Sequence, residues 1–426
     1  MTNHIKTSNN GKKRDSMLSP YRVLDLTDEK GLLCGKILGD MGADVIKIER
    51  PGGDSARCIG PFYHDEPDPE KSLFWFALNT SKRGITLNLE TSDGQEIFKH
   101  LVKTADFVIE SFPLGYLRKL GLDYPDLEKI NPSLIMVSIT PFGLTGPYKD
   151  YKTSDIVAWA LGGDMAPFGD ADRPPVRISH GYQAYLHAGA DGAMSAMTAL
   201  YHRASTGAGQ QADVSIHEAA VQSTIHNNPT WNKTERANST KRGEVRAGTG
   251  HQTTQLWPCK DGYVSWSHGG SSRLAPSQPL IKWMESEGFT NDFLKKFDWN
   301  RPDFARISQE DMDRIEEPTA RFFMAHTKAE LLEGAVKHEV MMYPLSTTQD
   351  MLENVQLAAR NFWVKLEHPE LGDTITYPGA FGWSSETPIE ISRRAPLIGE
   401  HNNEIYEKEL GIPKERLVML KQSGVI

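Results

Sequence analysis

Short apolar runs alternate with amphipathic stretches through the first half of this chain. Tyr21–Thr27 is a short apolar run. Gly31–Met41 then spaces Leu33, Ile37, Leu38 and Met41 as one face of a helix, and Val45–Ile48 is a second apolar run. Strand, helix and strand within about thirty residues predict a βαβ unit with parallel strands. The pattern recurs with a strand at Ile85–Leu89, a helix at Ser92–Thr104, a strand at Asp106–Ile109, a helix at Asp123–Asn131 and a strand at Leu134–Ile139. Such alternation predicts an open, doubly wound α/β sheet. Ligands of these sheets bind beyond the carboxyl ends of the strands. The loops that matter are therefore Thr27–Gly31, Glu49–Arg57, Glu110–Arg118 and Thr140–Tyr148.

The stretch Val176–Glu218 organises the middle of the chain. A glycine-containing loop leads into a helix over Tyr185–Ala204, a turn at Thr206–Gln210 and a strand at Ala212–Ile216. Ala188, Gly189, Ala190, Gly192, Ala193, Ser195 and Ala196 keep that helix thin, so another backbone can approach it closely. Beyond it the alternation is lost. Residues 227–246 are polar and read as a linker, and 247–345 read as a smaller domain with helices at Gln309–Ala325 and Lys328–Glu339. Residues 346–426 return to the large domain, residues 18–226 form its first part, and 1–17 read as a disordered tail.

Composition narrows the function classes. The chain has 426 residues, a net charge of −9, 38% hydrophobic and 24% charged residues, which suits a soluble globular protein without general affinity for nucleic acid. No apolar run approaches the ~18 residues that cross a membrane, and nothing resembles a signal peptide. Cys34, Cys58 and Cys259 lack metal or disulfide spacing, so reduced thiols in the cytoplasm are expected. No GxGxxG follows the first strand, which disfavours a nicotinamide cofactor even though Glu49 ends the second strand where a ribose-binding acid could sit.

Several segments in order carry a family resemblance. They are Val23–Leu26 followed by Leu38–Asp54, Asn79–Leu89, Ala105–Phe112 with Leu120-Gly121, Phe142-Gly143 with Thr145–Pro147, Ala199–Arg203 with Thr206–Gln210 and Asp213–Ser215, and Arg394–His401. Together they resemble the class III CoA-transferases, the CaiB/BaiF family, across residues 18–426. The resemblance implies a Rossmann-like large domain built from both chain ends, a smaller inserted domain, and an interlocked dimer. It implies acyl-CoA and a carboxylic acid as substrates and no permanently bound cofactor, nucleic acid or membrane partner. Some members pair two related subunits, so the dimer is expected to be a homodimer or a heterodimer with a paralogue.

By the same resemblance Arg50, Asn79, Lys82, Arg83, Leu87, Ser111, Phe112, Arg118 and Lys119 are candidates for CoA binding. Phosphates need Arg, Lys or backbone donors and adenine needs apolar or planar neighbours. Ser111 replaces the family's usual Asn, and Arg118 and Lys119 lie where the family carries one phosphate-binding base. The alternative for each basic residue is a solvated surface charge.

The family's nucleophile is an aspartate four residues before the glycine that opens the thin helix. Here that glycine is Gly189, and the aspartate's place is held by Tyr185. A phenol with pKa near 10 is a poor substitute for a carboxylate. Asp191 is the nearest acid in sequence, with a helix-surface role as its alternative. His180 and His187 are further acid–base candidates, with packing as theirs. The family's racemases also need a His where this chain has Ser154, so racemisation is disfavoured. Asp28-Glu29-Lys30 replaces the Ala-Gly-Pro that usually follows the first strand. Two departures at the reactive end imply a retained scaffold with a lost or altered site. Three readings follow: a transferase subunit paired with an Asp-bearing paralogue, a homodimeric transferase, lyase or isomerase using other groups, and a non-enzymatic acyl-CoA-binding protein. In the small domain Trp257, Tyr263 and Trp266 are either core or lining for a bulky acid.

Overall fold

The computed structural model describes residues 16–170, 172–177, 181–223, 225, 245–247, 251–269 and 276–426. Nearly all of the expected tail and linker, and His180, lie outside them. The described residues fall into two compact units. One comprises its residues up to Trp159, Gly181–Gln222 and Gln356–Ile426. The other comprises residues within Ala160–His180 and Ser223–Val355.

The first unit is built on six parallel strands: β1 (Arg22–Leu26), β2 (Asp44–Glu49), β3 (Lys82–Thr86), β4 (Phe107–Glu110), β5 (Ile135–Thr140) and β6 (Gln210–Ser215). Their order is β3-β2-β1-β4-β5-β6. The connections reverse direction between β1 and β4, which creates a crevice at the carboxyl ends of those two strands. Register is set by the buried faces. Val23, Leu24, Asp25 and Leu26 stand beside Phe107, Val108, Ile109 and Glu110. Both faces of β1, β4 and β5 are buried, as expected for strands that helices cover on both sides.

Helix α1 (Leu32–Asp40) and helix α2 (Gln183–Thr206) pack unusually closely. A Cβ added at Gly189 would lie 2.9 Å from Leu33 Cβ, and one at Gly192 would lie 3.3 Å from Cys34 Sγ. The small residues noted in the sequence therefore serve to press α2 against the first turn of α1.

The strand expected at Ile85–Leu89 lies three residues earlier, at Lys82–Thr86. Lys82 and Arg83 look like solvated residues in sequence, yet both are buried. Lys82 Nζ donates to Asp25 Oδ2 (2.8 Å), Leu32 O (2.9 Å) and Asn79 Oδ1 (2.9 Å). Arg83 donates to Asp44, Glu404 and Glu409. β3 is the sheet edge, and the C-terminal segment covers it. Asn402 Oδ1 accepts from Thr86 N (2.9 Å), His401 Nδ1 accepts from Gly84 N (3.1 Å), and Tyr406 Oη donates to Thr86 O (2.6 Å).

The second unit holds a three-stranded sheet of Leu256–Cys259, Gly262–Ser265 and Tyr343–Pro344, with helices at Gln278–Ser286, Gln309–Met324 and Lys328–Lys337. Trp257 and Trp266 are buried with Trp283, Phe322 and Phe323, whereas Tyr263 is exposed. His268 is fully buried there, and desolvation pushes its pKa down to about 3, so it packs as a neutral ring. Among the described residues no helix is long and apolar enough to cross a membrane, and no group of three His, Cys, Asp or Glu is placed to hold a metal.

Candidate functional site

The β1–α1 loop is held rigidly over the crevice. Asp25 Oδ1 accepts from Thr27 N (2.9 Å) and Thr27 Oγ1 (2.7 Å), and Lys47 Nζ donates to Thr27 O. Across the crevice, Asp28 N donates to Ser111 Oγ (2.9 Å), which donates in turn to Asp28 Oδ1 (2.7 Å). Asp28 also pairs with Lys30. The loop from β1 is thus fastened directly to the end of β4.

Beside this clasp lies a cavity of about 540 Å³. Leu26, Ile48, Leu87 and Leu89 supply apolar walls, and Phe112 supplies a ring that packs on Tyr116 at a centroid distance of 4.6 Å. Among the described residues Arg50 is the only basic one of the lining, beside Asp28, Glu49, Asp54 and Glu90. Glu49 is neutralised from behind by Arg57, whose Nε and Nη2 donate to its two oxygens at 2.6 and 2.8 Å. That engagement leaves no free carboxylate for a ribose. Arg50, Leu87, Ser111 and Phe112 therefore meet in one cavity with apolar, aromatic and cationic parts. Tyr116, Asn88 and Glu90 join them, and sequence reasoning did not single these out because only the fold brings the segment after β3 to the segment after β4, where Tyr116 Oη donates to Glu90 Oε1 (3.3 Å).

The other basic candidates are placed differently. Asn79, Lys82 and Arg83 are buried away from this lining, in the contacts described above. Arg118 is exposed, donates to Asp123 Oδ2 (3.0 Å) and lines a neighbouring cavity of about 210 Å³ with Glu110 and Ser138. Lys119 is exposed beside it on the short helix Tyr116–Lys119.

Tyr185 is buried in the first turn of α2. Its amide donates to Asp155 Oδ1 at 3.2 Å. The other oxygen of Asp155 is buried with no hydrogen-bond partner among the described residues. Burial, then the charges of Glu29, Asp155 and Asp28, push the Tyr185 pKa well above its ordinary value. The phenol keeps its proton at neutral pH and is no nucleophile. Glu29 is half-buried, and its pKa is raised by desolvation and by Asp28, against Lys30. Asp28 also lines the larger cavity, so it stands between that cavity and Tyr185. Asp191 and His187 lie one turn apart farther along α2. Burial raises the Asp191 pKa against the pull of His187, whose Nδ1 is 2.8 Å from Gln183 O and whose ring packs on Trp159.

Glu110, at the end of β4, is the most displaced carboxylate near the site. Desolvation pushes its pKa up to about 7, against Ser138 and the Phe112 amide, which donates to Oε2 at 2.8 Å. A carboxyl with a raised native pKa binds more protons folded than unfolded, so its contribution to stability is full below pH 4.5 and lost as pH rises to about 7. Glu110→Gln should therefore stabilise the protein progressively from pH 5 to pH 7 and level off above it, by roughly 3 kcal/mol. Urea titrations at four pH values measure this, and a pH-independent difference would contradict it.

A model of CoA-transferase family III matches residues 18–402. The chain is 36% identical over 412 residues to the BbsE subunit of succinyl-CoA:(R)-benzylsuccinate CoA-transferase from Thauera aromatica, covering 96% of this chain and 98% of that one. It is 31% identical to succinyl-CoA–D-citramalate CoA-transferase of Chloroflexus aurantiacus, with 96% and 98% covered. A crystal structure of a CAIB/BAIF family protein from Brucella suis superposes with a TM-score of 0.79 at 28% identity, covering 93% of this chain and all of that one.

Proposed function

This chain belongs to CoA-transferase family III, and on that premise we propose that it is one subunit of a cytoplasmic enzyme moving CoA from succinyl-CoA to another carboxylic acid. Relatives named for succinyl-CoA, one of them named as a subunit, support that donor and that organisation. The proposed partner is a paralogous chain that carries the aspartate, interlocked with this one around the large domain. The smaller domain at 247–345 and the linker at 227–246 belong to the same reading.

One observation carries it. The cavity with Arg50, Leu87 and Phe112 is intact, while the place of the nucleophile is held by a buried, protonated phenol. In the partner, an aspartate oxygen would attack the thioester carbonyl, the C–S bond would break and CoA would leave as the thiolate, giving a mixed anhydride. CoA thiolate would then attack the aspartyl carbonyl, releasing the donor as its carboxylate and leaving an aspartyl-CoA thioester. The acceptor carboxylate would attack that thioester, expelling the thiolate and giving a second mixed anhydride. The thiolate would attack its acceptor acyl carbonyl, so that the acceptor leaves as the new thioester and the aspartate is regenerated. Tyr185 cannot start this sequence, because a phenol that holds its proton offers no attacking electron pair of carboxylate strength. In this chain Arg50 is placed to meet phosphate, and Leu87 with Phe112 to hold the base.

The chain purified alone should bind CoA yet transfer none between succinyl-CoA and acceptor acids. Co-expressed with the paralogue, it should appear as a mixed assembly by native mass measurement and show transfer. Full transfer by the chain alone would refute the pairing.

A further inference from the structure

The cavity of about 210 Å³ that Arg118 lines is built on one face of the sheet, at the carboxyl ends of three strands. Met136, Ser138 and Thr140 alternate along β5 and form its floor. Glu110 of β4 stands beside Ser138, and Gln211 of β6 stands beside Met136. This end of an open parallel sheet is where ligands sit. Leu117 and Leu144 add apolar walls, and Asp213 Oδ2 accepts from the Leu144 amide (2.9 Å), which fixes the loop leading to Lys149. A water takes up about 30 Å³ of liquid, so the cavity has room for a molecule of several non-hydrogen atoms.

Most polar groups of this floor are paired. Gln211 Nε2 donates to Ser138 Oγ (3.1 Å), whose hydroxyl donates to Glu110, and the Phe112 amide donates to Glu110 Oε2. Thr140 is the exception. Its hydroxyl is buried with no hydrogen-bond partner among the described residues. An unpaired buried hydroxyl is costly, and an occupant of the cavity removes that cost. The charges are also separated by depth. Arg118 and Asp123 neutralise each other. Glu110 is left buried at the floor, and Lys149 is left exposed at the mouth, in no ion pair among the described residues.

We propose that this cavity is a binding site for a small zwitterion, an amino acid with a short apolar side chain, separate from the CoA cavity. The ammonium donates to Glu110 and to Thr140 Oγ1 at the floor, where a charge-assisted bond in a buried setting is strongest. The carboxylate meets Lys149 at the mouth, and the side chain lies on Leu117, Met136 and Leu144. An acid without the ammonium leaves Glu110 and Thr140 unanswered, and an amine without the carboxylate leaves Lys149 so. Phe112 and Pro113 wall both cavities, which makes them neighbours, but Arg50 and Leu87 line only the larger one. The site therefore does not rest on the transferase reading.

Calorimetry on the full chain tests this at about pH 8, where Glu110 is largely ionised. Three probes share one skeleton: L-leucine, isocaproate, which lacks its ammonium, and isoamylamine, which lacks its carboxylate. Leucine should bind at least about ten-fold more tightly than either fragment. Thr140→Val keeps the shape and removes the hydroxyl, and Glu110→Gln removes the charge. Each should weaken leucine about ten-fold, the loss of one hydrogen bond to a charged group, while Thr140→Val binds CoA like the wild type. No leucine binding at millimolar concentration would overturn the site. Isocaproate binding as tightly as leucine would overturn the place given to the ammonium, and unchanged leucine affinity in both variants would put leucine elsewhere. Displacement of leucine by CoA would overturn the separation of the two cavities. The comparison of probes uses the wild type alone, so it decides the matter even where a variant fails to fold.

Discussion

Replacing Arg57 by methionine is expected to destabilise the protein by about 3–5 kcal/mol, the cost of stranding a buried partner charge. The guanidinium is fully buried. It holds both oxygens of Glu49, donates to Glu70 Oε2 (2.7 Å) and Pro396 O (2.9 Å), and lies 3.9 Å above the Trp75 ring. Methionine keeps much of the volume and the contact with Trp75. It leaves Glu49, itself 1% exposed, with the Asp54 amide (2.8 Å) as its remaining donor. It also leaves Pro396 O with Trp75 Nε1 (3.2 Å) as its remaining donor, so the C-terminal segment loses part of an anchor next to the covered edge of β3. Arg57→Lys should recover little, because a single ammonium cannot reproduce the two-pronged contact and the other two bonds together. Urea unfolding checks both variants, and a loss below about 1 kcal/mol for Arg57→Met would show that water or a rearranged cation replaces the arginine.

Arg50→Glu is expected to weaken CoA binding by about 10- to 100-fold or more, since a charge-assisted contact to phosphate is worth about 1.5–3 kcal/mol and reversal adds repulsion. Among the described residues Arg50 is the sole base in a lining that contains four acids. Three of those acids are already balanced, Glu49 by Arg57, Asp54 by Lys47 at 3.7 Å and Asp28 by Lys30. The local sign of the field therefore turns on Arg50. Calorimetric titration with CoA should show the loss, and it should shrink with added salt because the residue is exposed. An unchanged affinity would place the phosphates elsewhere, with Arg118 and Lys119 the next groups to test.

Much of the scaffold was legible in the chain itself. Hydrophobic alternation is a local property, so strands such as Arg22–Leu26 and Ile135–Thr140 and the helix beginning near Tyr185 follow from spacing alone. The glycines at 189 and 192 announced a close approach without naming what approaches. The tyrosine at 185 was also readable, because its significance depends on counting along one uninterrupted helix.

What the sequence could not supply were the partners of its charges. Lys82, Arg83 and Arg57 look alike as long basic residues near strand ends, and all three turn out buried. The carboxylates of Lys82 and Arg83 come from far along the chain, as with Arg83 and Glu404, 321 residues apart. Burying a cation is favourable only when those carboxylates arrive with it, and local pattern holds no record of that arrival. The same dependence separates Arg50, exposed at a cavity, from Lys82, buried at the start of β3 with Asp25. It also sets the field around Tyr185, where burial and the charges of Glu29, Asp155 and Asp28 raise the phenol's pKa. Sequence alone determined that the family scaffold is present, and its resemblance implies a tyrosine in place of the family's aspartate. The tertiary structure alone decided which charges face the site, because electrostatic energy depends on distance through space rather than along the chain.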